Sequence, residues 1–272
     1  QISVYGQESN PTTWRLAAMN MAIRGLDFNF GGQPGDTLQN DLHPDLRADY
    51  VMANPPFNVD EIDADKVKTD PRLPFGLPGV NKKDKVSNGN YVWISYFYSY
   101  LNEKGRAGFV MSSQASSAGR DEAKVRQKLI ESGDVDVMIA IRSNFFYTRT
   151  VPCELWFLNR DKPKQHQDKV LMIDARNIYR KVTRKIYDFS PEQEQNILSI
   201  VALYRGQTEK YLNTVSAYCQ RMLAESDGCF QAQDDNGDRI TPLPDFLSAL
   251  ESLKKAVTPF IKTLGKDGAH SE

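Results

Sequence analysis

The chain of 272 residues carries 40% hydrophobic and 25% charged residues with a formal net charge of -1, a composition suited to a globular protein long enough to bury a full core. Near-neutrality excludes a partner held by global charge alone, so a nucleic-acid surface must be a local patch or be supplied by a partner subunit. No apolar run approaches the ~20 residues that span a bilayer. Three cysteines, Cys153, Cys219 and Cys229, without Cys-x-x-Cys spacing fit a reduced, cytoplasmic protein better than a disulfide scaffold.

In chain order, "QISVYGQE" reads as a buried strand ended by an acidic residue. "NPTTWRLAAMNMAIRG" reads as a helix opened by Asn10 and Pro11 and closed by Gly25. Then follow "ADYVMAN" as strand, "YVWISYFYSYLNEKG" as helix, "RAGFVMSS" as strand, "RDEAKVRQKLIESG" as helix and "DVDVMIAI" as strand. Repeated strand-helix units with near-continuous apolar strands predict an α/β fold with a mostly parallel sheet covered on both faces. "VPCELWFLNR" and "KVLMIDA" are strands joined by "DKPKQHQD", too short for a crossover helix, so the sheet is expected to turn antiparallel at that end.

Residues 58–90 are polar and rich in Pro, Gly and Lys, longer than an ordinary connection, which predicts a functional or mobile loop. From Ser190 the character becomes helical, dividing the chain into a catalytic-type domain over 1–189 and a helical extension over 190–272. Ser190, Pro191 and Gln193 form a capping-box start, and "EKYLNTVSAYCQRMLAE" is a second helix. A third, over 243–264, spaces Leu243, Phe246, Leu250, Leu253, Val257, Phe260 and Leu264 by threes and fours, a coiled-coil-like seam that Pro259 is expected to interrupt or kink. This seam is the candidate docking surface, with packing against the other tail helices as the equal alternative. "DDNGD" reads as an Asn-Gly hairpin between "CFQAQ" and "RITPL". The three histidines, His43, His166 and His270, show no metal-ligand spacing.

The chemistry centres on "NPPF", residues 54–57, directly after an apolar strand. The Asn54 amide oxygen and the Pro55 carbonyl are acceptors held in fixed relation by Pro55 and Pro56. Two converging acceptors suit an NH2 group, and Phe57 offers a face on which a base stacks for about 1–3 kcal/mol. An aromatic amine is a poor nucleophile, and acceptors on both N–H bonds favour a pyramidal nitrogen with an outward lone pair. They act more strongly as positive charge develops there, which lowers the barrier. The plainer alternative is a strand-terminating turn with a core phenylalanine.

"NPPF" resembles the catalytic motif of the amino-methyltransferases. The chain further resembles the modification (M) subunit of type I restriction-modification systems, a DNA adenine-N6 methyltransferase. "VYGQE", "NPTTWRLAAMNMAIRG", "GDTL", "ADYVMANPPF", "YLNEKGRAGFVMSS", "VRQKLIESGDVDVMIAIRSNFF" and "KVLMIDAR" stand in that family's order over residues 3–176.

The resemblance implies a Rossmann-like sheet dependent on S-adenosylmethionine, lacking its first strand. It implies that Glu8 holds the cofactor's ribose hydroxyls, that Asp36 contacts the cofactor's adenine, and that Asn54 borders the cofactor as well as the target amine. Asn54, Pro55, Pro56 and Phe57 are the implied catalytic segment, with Phe57 and Phe146 stacking on the flipped base. Phe145 and Tyr147 are alternatives to Phe146. The plainer readings are a helix cap for Glu8, a turn residue for Asp36 and a core position for Phe146. The implied partners are DNA, a specificity subunit and a restriction subunit.

One departure stands out: the family's Asp-Pro-x-x-Gly-x-Gly loop is absent, and no Gly-x-Gly occurs in the chain. The resemblance therefore implies an N-terminally truncated fragment that binds the donor weakly or not at all. Two alternatives remain, a catalytically defective scaffold subunit and a protein glutamine-amide methyltransferase, the latter normally with tyrosine at the place of Phe57. "RNIYRKVTRK", residues 176–185, is either a phosphate-facing patch or a solvated face.

Overall fold

In a computed structural model, which describes residues 2–145, 150–233, 235–238 and 244–264, the chain forms two units, residues 1–188 and 189–272. The first begins with β1 (Ser3–Tyr5), α1 (Pro11–Ile23) and β2 (Asp27–Asn29), the two strands pairing in parallel with Val4 opposite Phe28. The helix starts where the sequence says. The Asn10 side chain accepts from the Thr12 and Thr13 amides at 2.9 and 3.2 Å, and Pro11 occupies a position that needs no N–H. Gly25, at φ 63°, turns the chain out of it.

Next come β3 (Ala48–Ala53), β4 (Ile62–Asp63), α2 (Ala64–Val67), β5 (Lys85–Val86), α3 (Asn90–Ser99), β6 (Leu101–Ser112), α4 (Gln114–Ser117) and α5 (Arg120–Glu131). The unit ends with β7 (Val135–Ile141), β8 (Cys153–Asn159), a 3-10 turn (Lys164–His166), β9 (Leu171–Asp174), β10 (Arg180–Lys181) and β11 (Tyr187–Asp188). Five strands make one sheet in the order β3-β6-β8-β7-β9. β3 and β6 are parallel, β7 and β9 are parallel, and β8 lies antiparallel between β6 and β7.

The antiparallel strand is thus interior, not at the sheet's end. Residues 142–152 are too short for a crossover, so β8 returns beside β7. The link after β8 then carries the chain past β7, and β9 runs parallel to β7 at the edge.

The main core is built from α3, α5 and the sheet, with Trp156, Tyr91, Ile94, Leu101, Met111 and Leu129 fully buried. Phe109 stacks on Trp156 with ring centres 6.2 Å apart, joining β6 to β8.

Three expectations need correction. β1 is not buried, since it has β2 as its only sheet partner among the described residues. β3 likewise has only β6 beside it, and Tyr50 and Met52 are 74% and 89% exposed. The stretch read as one helix to Gly105 ends at Ser99, and β6 begins at Leu101. Leu101 pairs with Ala48 and Arg106 with Tyr50, so the Asn-Glu-Lys-Gly segment bulges out of the strand instead of prolonging the helix. Gly105 permits the bulge, because a Cβ there would sit 2.9 Å from the Ala48 carbonyl oxygen.

The long segment between Phe57 and Asn90 is folded. Its β4, α2 and β5 close a second small core in which Ile62, Ala64, Val67 and Val86 pack with Leu38, Val92 and Tyr96.

The second unit holds α6 (Pro191–Tyr204), α7 (Thr208–Gln231) and α8 (Pro244–Leu264). The capping box forms as read: Ser190 Oγ accepts from the Gln193 amide at 3.2 Å, and Gln193 Oε1 accepts from the Ser190 amide at 2.9 Å. Residues 229–231 are the last turn of α7 and not a hairpin strand, while residues 234 and 239–243 lie outside the described residues.

α8 continues through Pro259. Thr258 Oγ1 donates to the Lys254 carbonyl at 2.7 Å, a back-bond to the preceding turn just ahead of the proline. Of the expected seam, Phe246, Leu253 and Phe260 are exposed and Leu243 is outside the described residues. Among the described residues, no helix is long and apolar enough to cross a membrane.

Candidate functional site

Because β3, β6, β7 and β9 point the same way, their carboxyl ends open on one side of the sheet, where ligands bind in open α/β folds. Asn54 is the first residue beyond β3. Its side chain is exposed, and among the described residues none hydrogen-bonds it. Pro55 is buried, Pro56 exposed, and Phe57 half-buried with part of its ring against the main core. Packing therefore fixes the ring while leaving surface open. The next residue, Asn58, takes the left-handed backbone at φ 54° and is held by Asn90 and Asn88.

Glu8 and Asp36 come from different strand ends and meet through the backbone, with the Gly35 N–H donating to the Glu8 carbonyl at 3.0 Å. Gln7 fastens the same turn from its side chain, donating to the Asn40 carbonyl at 2.6 Å and accepting from the Leu42 amide at 3.1 Å. Both carboxylates also perform the plainer local roles. Glu8 Oε1 accepts from the Asn10 amide at 2.7 Å just ahead of α1, and Asp36 Oδ1 accepts from the Leu38 amide at 3.0 Å. These bonds orient the carboxylates without burying them. Phe146 and Tyr147 lie outside the described residues, and Phe145 is half-buried.

Sequence reading missed two features at this end of the sheet. Arg142, just past β7, sits in the corner formed by the perpendicular rings of Tyr179 and Tyr187, its guanidinium carbon 4.0 and 3.9 Å from the ring centres. The Tyr187 amide donates to the Asn144 carbonyl at 3.1 Å, so the β10-β11 hairpin is rooted beside the 142–145 segment. Of the basic run, Arg176 pairs with Asp174 and Arg180 with Asp188, both at 2.7 Å, while Lys181, Arg184 and Lys185 are exposed. The second feature is Glu154 on β8. It accepts from Ser116 Oγ at 2.7 Å and from Trp156 Nε1 at 3.2 Å, and burial holds its carboxyl above the usual range. The signal was available: Glu154 is the one charged residue of the apolar strand β8.

The chain is 37% identical over 218 residues to the type I restriction enzyme MjaIX methylase subunit of Methanocaldococcus jannaschii, covering 78% of this chain and 38% of that protein. It is 34% identical over 225 residues to the HindI methylase subunit of Haemophilus influenzae, covering 82% of this chain and 48% of that one. The chain thus spans half or less of the length of these relatives. Among solved structures, the type I methyltransferase subunit from Streptococcus thermophilus superposes with a TM-score of 0.64 at 20% identity, over 75% of this chain and 48% of that one. A class I S-adenosylmethionine-dependent methyltransferase from Listeria monocytogenes gives 0.54 at 16% identity, over 75% and 56%. The fold is that of these methyltransferases. With the N-6 DNA methylase model matching residues 1–226, and with relatives among type I methylase subunits, the chain belongs to the N-6 DNA methylase family.

Proposed function

We propose that the protein acts as the modification subunit of a type I restriction-modification complex and methylates N6 of adenine in DNA with S-adenosylmethionine. The observation that carries this reading is the Asn54 amide, left unengaged by the described residues at the end of β3 and followed by a buried Pro55 and a core-anchored Phe57.

Asn54 Oδ1 and the Pro55 carbonyl accept the two N–H bonds of the amine and draw its nitrogen toward pyramidal geometry. Because the acceptors are already aimed, no reorganisation is needed as charge develops on nitrogen. Phe57 receives the ring of a base turned out of the duplex, since N6 is inaccessible within it. Phe146 supplies the second aromatic face.

The residues present fit the adenosyl half of the donor. Glu8 and Asp36, brought together by the Gly35–Glu8 bond, offer carboxylate oxygens suited to ribose hydroxyls and an adenine amine. When bound, S-adenosylmethionine supplies an electrophilic methyl group on sulfonium. Asn54 would contact the bound donor as well as the target amine. The partners on this reading are DNA, a specificity subunit and a restriction subunit, with the exposed apolar residues of α8 as the docking seam and the cytoplasm as the site of action. Phe57, where a glutamine-amide methyltransferase carries tyrosine, favours the nucleobase substrate.

The test is Asn54→Ala in the full-length protein, reading N6-methyladenine in DNA by mass spectrometry. The expected result is a rate loss of about 10²–10³ with donor binding nearly intact. Retained adenine methylation would sink the mechanism.

A further inference from the structure

The 30-odd residues that leave after Phe57 return at α3, and the neck of that excursion is closed by asparagines. Asn90, 1% exposed at the start of α3, accepts the Asn58 amide N–H on Oδ1 at 2.9 Å. Its Nδ2 donates back to Asn58 Oδ1 at 2.9 Å, and Asn88 Nδ2 donates to the same oxygen at 3.1 Å. Asn88 Oδ1 in turn accepts the Asn90 amide at 2.9 Å. Beside them the Gly89 N–H donates to the Val59 carbonyl at 2.7 Å. A Cβ on Gly89 would stand 2.8 Å from Ile62 Cδ1 and 3.2 Å from the Val59 carbonyl oxygen, so the two arms run close together here.

The geometry points to Asn58 and Asn90 as positioning residues: a reciprocal side-chain latch that sets the backbone of residues 54–57 and so holds the Asn54 acceptor and the Phe57 ring in working register. The inference rests on the proposed methyl transfer for its consequence, not for its geometry. Asn58 is in the left-handed region, which asparagine tolerates and most residues resist. It immediately follows Phe57, so any relaxation of its φ rotates the plane to which that ring is attached. A complementary pair of donor and acceptor on one buried amide is also more than a loop neck requires, since the Gly89–Val59 bond already closes it. Displacing a substrate-holding group by about 1 Å lowers a rate by up to about 100-fold.

The experiment uses the full-length protein and compares Asn58→Ala, Asn58→Asp and Asn90→Ala. Asn58→Asp keeps an acceptor for both side-chain amides and tolerates the backbone. Asn58→Ala loses the acceptor and the tolerance, and because Asn58 is exposed it is expected to leave the fold intact where Asn90→Ala risks it. Steady-state adenine methylation is read together with the aromatic ring signals of Phe57 by NMR.

The expected result for Asn58→Ala is a kcat about tenfold lower, with KM for DNA within about twofold, and shifted Phe57 signals. Asn58→Asp is expected to retain most of the rate. Equal rates for all three variants, or unmoved Phe57 signals in Asn58→Ala, overturn the latch. If the unaltered protein methylates no adenine, the proposed function falls instead, and the Phe57 signals alone decide the latch.

Discussion

The Arg72 guanidinium lies 3.8 Å above the centre of the Tyr96 ring while its Nη2 donates to Asp70 at 2.7 Å. The same guanidinium donates to Tyr100 Oη at 3.0 Å, and Tyr100 donates to Asp41 at 2.7 Å. Tyr96 also donates to the Leu38 carbonyl at 3.3 Å. One 4%-exposed arginine therefore ties the turn that bears Asp36 to α3. Removing it leaves two partly buried carboxylates without their cation. Arg72→Ala is expected to cost about 3–5 kcal/mol, the range for breaking a buried pair from one side. Chemical denaturation checks it, and a loss below about 1 kcal/mol would place Arg72 with ordinary surface pairs.

The pH dependence of the same cluster follows from Asp70. Burial alone would raise its carboxyl, but hydrogen bonds from the Arg72 side chain and amide outweigh this and hold it below the usual value. A carboxylate depressed in the folded state contributes stability above its unfolded pKa of about 4, and the contribution is lost as pH falls through the folded value. The stability gap between the unaltered protein and Asp70→Asn should be present at neutral pH and close on acidification below about pH 4. Thermal unfolding across that range measures it. A gap that persists at low pH would show that charge is not its source.

The thiols give a contrast that needs no functional assumption. Burial pushes Cys153, 1% exposed on β8, up to about 11, with the neighbouring Glu154 adding to the shift. Cys219 and Cys229 on α7 are half-exposed. Alkylation of the native protein near pH 8 should label Cys219 and Cys229 and spare Cys153 until the chain is denatured. Peptide mass spectrometry reads the order, and early labelling of Cys153 would mean that β8 opens locally.

Much of this arrangement was legible in the sequence because its signals are local. Asn10, Pro11 and Gly25 bound α1, and Ser190 with Gln193 bounds α6, through bonds spanning a few residues. The Asn54 motif was legible because proline leaves the backbone few choices after a strand. What escaped was set by distant partners. The end of α3 depends on β6 pairing with β3 and on Gly105 lying against Ala48. The place of β8 depends on which edge of β7 is open when the chain returns. Asn58 and Asn90 stand 32 residues apart, and Asn90 reads as any polar residue opening a helix until its partner is seen.

Donor affinity is the sharpest test of what the described site lacks. Glu8 and Asp36 supply acceptors for the ribose hydroxyls and the adenine amine of S-adenosylmethionine, each bond to a charged group adding about 1.5–3 kcal/mol. Association costs at least about 4 kcal/mol in lost motion before any contact is counted, and both carboxylates already serve local backbone amides. The family's Gly-x-Gly spacing does not occur in the chain. The surplus falls short of the roughly 5.5 kcal/mol that corresponds to 100 µM. Residues 1–272 alone are therefore expected to give no calorimetric signal with tens of micromolar donor. Binding at that concentration would mean that the residues present complete the pocket, and Glu8→Gln with Asp36→Asn would then show whether these two carboxylates hold it.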